Sequence, residues 1–435
     1  MHTLEQLRSG ALAGTRRLDL SCDLTELPEE VFGLADTLEV LNLSGNRLRA
    51  LPHQLPRLHK LQVLFASDND FTVLPEVLGD CPALQMVGFK ANRIAHVPAA
   101  ALPPALRWLT LTDNAIGHLP TELGQRPALQ KLMLAGNQLT ALPSSLQAAH
   151  KLELLRISAN RLEHVPDWLT ELPRLSWLAL AGNAMGWAWA SETALPEVPW
   201  RALTLGALLG EGASGHIHHV QAAGWPQPLA LKLFKGAVTS DGLPEDELAA
   251  CLTAGQHPTL TTPVARLTEH PAQAQGLLMP LIPAGHINLA GPPSLQSCTR
   301  DVYPHGFSLT APVALQIASD VAGAVAHLHA RGVMHGDLYA HNILIDPAHG
   351  LARLGDFGAA TRLPGDDPEL CQRLLALEVR AMGCLLEELA EHAPASASQA
   401  LRALAEVCLR PAPAERPTMA EVARQCQALA THLAV

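Results

Sequence analysis

LEVLNLSGNRLRALP, residues 38–52, returns as LQVLFASDNDFTVLP at 61–75, and further copies begin at Leu84, Leu106, Leu129, Leu152 and Leu175. The period is 23 residues, once 22. In each copy the leucine-type residues at the first, fourth and sixth places fall on one side of a short extended run, and the residues between them face outward. One such unit cannot bury its leucines alone, whereas a stack of units can. The asparagines at 46, 69, 92, 114, 137, 160 and 183 fall where the chain must turn inside the stack. Their amides are expected to satisfy turn backbone groups that would otherwise be buried unpaired. A shorter first copy, LDLSCDLTELP, carries Cys22 near the asparagine place and reads as a terminal unit.

The whole chain has 435 residues, 48% of them hydrophobic, which is too long for one ordinary core and ample for two. Its net charge of -11 is spread without a long basic or acidic block, so nucleic acid and anionic membrane are not expected as partners. Eight cysteines fall singly and read as thiols of a reducing compartment. The opening MHTLEQLRSG lacks a signal pattern, and the longest apolar stretch, Ala311 to His327, is broken by Gln316, Ser319 and Asp320. A cytoplasmic protein without an anchor is expected, with delivery into a host cell left open.

The pattern LxxLxLxxNxLxxLP over about residues 15–185 resembles the leucine-rich-repeat family, which implies a curved α/β solenoid of about eight repeats behind an N-terminal cap at 1–14. Function in such a stack is expected on the outward strand positions. Phe65, Met86, Trp108, Met133 and Trp177 form an apolar stripe there, expected to bind a partner or substrate protein. The alternative is that these side chains pack on one another or on the second domain. Segment 186–197 is expected to cap the array and lead on. Trp187, Trp189 and Trp200 suit docking of the next domain better than a flexible linker.

The second half carries chemistry. LGEGASGHI at 209–217 holds Gly210, Gly212 and Gly215 in the spacing GxGxxG, which alone is shared with dinucleotide-binding folds. LALK, ending in Lys232, follows in a strand-like run. Glycines let backbone lie over phosphates, and the next strand delivers a fixed cation. HGDLYAHNIL at 335–344 then places Asp337 and Asn342 five apart, and LGDFG follows at 354–358 with Asp356.

In this order the motifs resemble a eukaryotic-type protein kinase over about 198–435, with an N-lobe to about 282 and a C-lobe from 283. The resemblance implies a multidomain chain whose second part is a two-lobed α+β kinase fold using ATP and Mg2+. It implies that Asp337, Lys232 and Glu247 are catalytic and that Asn342 and Asp356 hold the metal. ATP is expected against Leu209, Gly210, Glu211, Gly212, Ala213, Ser214, Gly215, Ile217, Ala230, Lys232, Met279 and Leu344. The acceptor is expected to be a protein hydroxyl, serine or threonine ahead of tyrosine. Arg416, in CLRPAPAERPTMAEV, matches the arginine that ties down the end of the activation segment, and Glu369 is expected to pair with it.

Departures from the pattern matter as well. Gly336 stands where an arginine is usual, Tyr339 where serine/threonine kinases have lysine, and Glu378 where an aspartate is usual. Glycine at 336 removes the cation that in many such kinases receives an activation-loop phosphate, so regulation by that phosphate is not expected, and the activation segment is short, with Thr361 its only hydroxyl residue. HGD with asparagine at this spacing also occurs in aminoglycoside and choline kinases, and a pseudokinase scaffold is a further alternative. His216, His218 and His219 read as an exposed strand rather than a metal site.

Overall fold

In a computed structural model of the chain, the described residues are 2–187, 189, 195–211, 215–235, 238–239 and 241–432. The chain divides into two compact units, Met1–Leu172 with Asn183–Met185, and Pro173–Gly182 with Gly186–Val435.

The first unit opens with helix α1 (Leu4–Arg8), capped reciprocally by Thr3 and Gln6. It continues with the parallel strands β1 (Arg17–Asp19), β2 (Val40–Asn42), β3 (Val63–Phe65), β4 (Met86–Gly88), β5 (Trp108–Thr110), β6 (Lys131–Met133) and β7 (Leu154–Arg156), each paired in register with the next. Between strands the chain returns through short 3-10 turns, from Glu29–Leu34 to Ser144–Ala148, and through helix α2 (Asp167–Thr170). Pro28, Pro75, Pro98, Pro120 and Pro143 set the extended residue that opens most of these turns. The period leaves space for little more than one such turn per repeat, so the back of the stack is built mostly of 3-10 geometry.

The asparagines form the expected ladder. Asn137 Nδ2 donates to Leu111 O (2.9 Å) and Leu134 O (2.9 Å), while its Oδ1 accepts from Ile116 N (3.0 Å). The residue before each asparagine is left-handed: Gly45, Asp68, Ala91, Asp113, Gly136, Ala159 and Gly182 all have positive φ. At Ala91 and Ala159, both at φ 51, the Cβ makes this conformation costly by about 1 kcal/mol, a cost that the asparagine bonds offset.

The second unit begins with strand β8 (Trp177–Ala179) and β9 (Glu197–Pro199). A mixed sheet follows, built from β10 (Leu203–Glu211), β11 (Gly215–Ala222), β12 (Leu229–Phe234), β13 (Ala265–Thr268) and β14 (Gly276–Pro280), with helix α3 (Pro244–Ala254) after β12. The order is β10-β11-β12-β14-β13-β9, antiparallel except for the parallel β13–β9 edge. The rest is β15 (Ile287–Asn288), helix α4 (Ala311–Ala330), the short strands β16 (Val333–Met334), β17 (Ile343–Ile345), β18 (Ala352–Leu354) and β19 (Thr361–Arg362), and helices α5 (Pro368–His392), α6 (Ala395–Cys408) and α7 (Met419–His432). Helix α4 is long and apolar enough to cross a bilayer by length and composition alone, yet Leu315, Ile317, Val321, Val325 and Leu328 are buried within the unit. All eight cysteines are free. Trp189 donates to Asp246 Oδ1 (3.0 Å) on α3, and Trp200 packs edge-on against His270 (4.5 Å).

Asn137→Ala is expected to lower the unfolding free energy by about 2–3 kcal/mol, because the buried N–H of Ile116 and two carbonyls lose their partner. Denaturant titration of the full chain checks this, and a change below about 0.5 kcal/mol would show that the ladder is dispensable.

Candidate active site

Strand pairing builds the upper half of the site. Ile217 stands opposite Lys232, and Ala230 opposite Met279. Directly opposed residues of an antiparallel pair point to the same face, and Ala230 and Lys232 share that face at i, i+2, so all four side chains line one surface. Leu209 is exposed at an irregular stretch of β10. Gly210 and Glu211 end β10 and Gly215 begins β11, and Gly212, Ala213 and Ser214 lie outside the described residues. Leu344 sits half-buried on β17, opposite Arg353.

Lys232 is buried, with Nζ 2.7 Å from Glu247 Oε1 and 3.1 Å from Asp356 Oδ1. One cation thus faces two carboxylates, Glu247 buried beside it and Asp356 partly open to solvent. Burial works against charge on the lysine, but Asp356 and Glu247 outweigh it and hold the ammonium well above its ordinary value. Burial also opposes charge on Asp356, yet Lys232 keeps its carboxyl below the usual range. Glu247 is the anion left over. Burial and the neighbouring Asp356 push it up to about 7 against the pull of Lys232, and its Oε2 has no hydrogen-bond partner among the described residues. That oxygen lies 3.6 Å from where a Cβ on Gly358 would sit.

The lower half is the loop between β16 and β17. Asn342 Nδ2 donates to Asp337 Oδ2 (2.8 Å) and Asp337 O (3.0 Å), fixing the carboxylate and turning the amide oxygen the other way. His335 is fully buried; its Nε2 lies 3.0 Å from Gly355 O and its ring packs on Phe357, joining this loop to the 354–358 segment. His341 Nδ1 lies 2.7 Å from Asp301 Oδ1. Burial would lower the imidazole pKa, but Asp301, Asp337 and Asp356 together raise it.

Glu378, on α5, anchors this loop from below. Its Oε1 accepts from Gly336 N (2.7 Å), and its Oε2 accepts from His335 N (3.1 Å) and lies 2.8 Å from His329 Nε2. Burial raises its carboxyl, but these donors and the nearby histidines prevail and hold it below the ordinary range.

Three expectations fail. Trp177 is 1% exposed: its indole stacks on Tyr339 at 4.3 Å and 11°, and its Nε1 donates to Leu338 O (3.0 Å). Met86 is 4% exposed, covered between its ladder neighbours Val63 and Trp108. Glu369 pairs with Arg373 (2.8 Å), whereas Arg416 is buried and donates to the carbonyls of Ala376, Arg410 and Pro411. The reason is local. Asp367 accepts from Leu370 N and Pro368 stands in the first turn, so residues 368–370 begin α5 and Glu369 faces solvent. Phe65, Trp108 and Met133 remain half-buried on the repeat strands. The Phe65 ring lies where a Cβ on Gly88 would sit, and Lys131 Nζ caps the Trp108 ring at 4.1 Å. Sequence reading missed Gly336's neighbours altogether, since no local pattern shows which chain segment approaches that φ of 74.

Oxygen ligands suit a hard divalent cation. The Asp356 carboxylate and the amide oxygen of Asn342 are such donors, with the Asn342 nitrogen already committed to Asp337.

Glu378→Gln is expected to destabilise the second unit by about 2 kcal/mol, since an amide presents one acceptor where two backbone donors converge. The folded carboxyl titrates below its unfolded value, so its contribution is complete at neutral pH and is lost as the pH falls through the lowered folded value. In thermal unfolding, the gap between wild type and variant should therefore narrow on acidification.

Comparisons with known proteins agree with this geometry. A protein kinase domain model matches residues 203–381, and leucine-rich-repeat models match 37–58 and 127–185. A DNA damage-responsive serine/threonine-protein kinase, RqkA, of Deinococcus radiodurans is 33% identical over 159 residues, covering 35% of this chain and 21% of that protein. The probable inactive serine/threonine-protein kinase roco10 of Dictyostelium discoideum is 29% identical over 25% of this chain and 4% of its own length. The PH domain leucine-rich repeat-containing protein phosphatase 1 of Mus musculus is 30% identical over 23% of this chain and 6% of its length. The chain thus spans only a minor part of the length of each of these three relatives. Repeat ladder, paired lysine and aspartate loop together make the chain a leucine-rich-repeat array joined to a protein kinase domain.

Proposed function

We propose that the chain, with its kinase domain running from about residue 198 to 435, transfers the γ-phosphoryl group of ATP to protein hydroxyls, with serine and threonine ahead of tyrosine. The observation that supports this most is the joint placement of Lys232 between Glu247 and Asp356 and of Asp337 on Asn342. The serine/threonine preference leans on the name of the Deinococcus relative. ATP would lie on the surface of Ile217, Ala230 and Met279, near Gly210 and Gly215, with Lys232 on its phosphates. Asn342 and Asp356 would hold Mg2+, which when bound neutralises charge on the phosphates. Asp337 orients the acceptor hydroxyl and takes its proton as the new P–O bond forms and the bond to the ADP oxygen breaks.

Incubating the purified chain with magnesium, labelled ATP and generic protein acceptors should label protein. Asp337→Asn should cut that labelling by about 100-fold or more while nucleotide binding stays within about twofold. Label confined to a small alcohol or amino sugar would replace this reading with a small-molecule kinase, and a wild type that binds without turnover would replace it with a scaffold.

The half-buried stripe of Phe65, Trp108 and Met133 is the proposed partner or substrate surface. Trp108→Glu should weaken binding of a phosphorylated protein substrate about tenfold or more, read as a rise in its KM with the KM for ATP unchanged. Equal KM values for both proteins would remove the stripe from substrate binding.

A further inference from the structure

The segment 173–182 makes contacts within the second unit that neither the phosphoryl-transfer chemistry nor the repeat pattern accounts for. Trp177 Nε1 donates to Leu338 O, the carbonyl next after Asp337. The Trp177 ring stacks face to face on Tyr339. On the other side of Asp337, Gly336 has φ 74, and a Cβ there would meet Leu178 O at 2.5 Å and Ala359 O at 2.6 Å. Leu180 N donates to Thr361 Oγ1 (3.1 Å), on the strand that pairs with β16 just ahead of the Asp337 loop. The segment is itself held down, because Arg380 of α5 donates to Pro173 O (3.1 Å) and Ser176 Oγ (2.7 Å).

These contacts bracket one residue. Leu178 and Trp177 touch the neighbours of Asp337 on either side, while Leu180 fixes the strand that follows Asp356. We infer that Trp177 is a positioning residue for phosphoryl transfer: the segment 177–180, strand β8 and the residue after it, is a built-in brace that holds Asp337 in register with Asp356 without any covalent mark on the activation segment. Thr361, the segment's one hydroxyl, is 1% exposed and already engaged as the brace's acceptor. Gly336 belongs to the same device. Only a residue without a Cβ tolerates both the left-handed backbone and the approach of the Leu178 carbonyl. A displacement of Asp337 by a fraction of an ångström would leave nucleotide binding intact and slow transfer.

The inference rests on the phosphoryl-transfer reading of Asp337, and the test separates the two. In the full chain, Trp177→Ala should lower kcat about 30-fold while the KM for ATP changes less than about twofold. Trp177→Phe keeps an aromatic ring on Tyr339 while losing the N–H donor and part of the ring area, so it should recover kcat to within about fivefold of wild type. A tryptophan that merely filled space would lower the melting temperature in both variants and leave kcat of the folded protein unchanged, which would overturn the inference. Amide hydrogen exchange gives a readout independent of turnover. Peptides covering 336–342 and 359–363 should exchange about tenfold faster in Trp177→Ala, with α5 unaltered. Unchanged exchange there overturns the brace, and a wild type that transfers no phosphate overturns only the reading beneath it. Should Trp177→Ala fail to fold, Thr361→Val removes the acceptor of Leu180 N and should by itself lower kcat about threefold or more and speed exchange at 359–363; wild-type values in both would refute the inference.

Discussion

A carboxylate buried as completely as Glu378 is tolerated only if donors surround it, and this requirement organises the second unit. The donors are His329 from α4 and the backbone N–H groups of His335 and Gly336, so one anion ties two helices to the loop that carries Asp337. The loop cannot shift without leaving charge unpaired. From that fixed floor, His335 reaches the carbonyl of Gly355 and packs on Phe357, which places Asp356 beside Lys232. Lys232 and Glu247 then close the chain of contacts back to α3.

The upper half of the site is organised differently. Its geometry comes from the alternation of side chains along paired strands, which needs no special residue beyond small or apolar ones at Ile217, Ala230 and Met279. Only the lysine at the end of that face is specific. One cation shared between two carboxylates leaves Glu247 the more easily protonated of the two, so the charge balance beside Asp356 depends on a group that titrates near neutrality.

Much of this was legible before any coordinates. The 23-residue period located the strands and the asparagine ladder, because burial of leucines and satisfaction of turn carbonyls are local demands that repeat with the sequence. The residues that the structure brings together around Lys232 were likewise signalled by spacing and order. What escaped was whatever depends on a distant neighbour. Periodicity tells that Trp177 and Met86 point out of the leucine core, but not what lies against them: Tyr339 and Leu338 in one case, flanking strand residues in the other. The Glu369–Arg416 pairing failed for a related reason. A helix starting at Pro368 turns Glu369 to solvent, and that start depends on the cap supplied by Asp367, which the resemblance did not weigh. The substitution of glycine at 336 was visible, whereas its cause, a carbonyl from residue 178, was not.

The left-handed residue before each ladder asparagine also bears on how the array can drift in sequence. Glycine or aspartate holds five of these seven places, and alanine holds Ala91 and Ala159. The demand is set by the backbone turn, so selection for durability would act on each site and move it toward glycine or asparagine. The two alanines are therefore stored room for improvement, at which an ancestor or descendant of this protein can gain robustness without touching a single residue of its working surfaces.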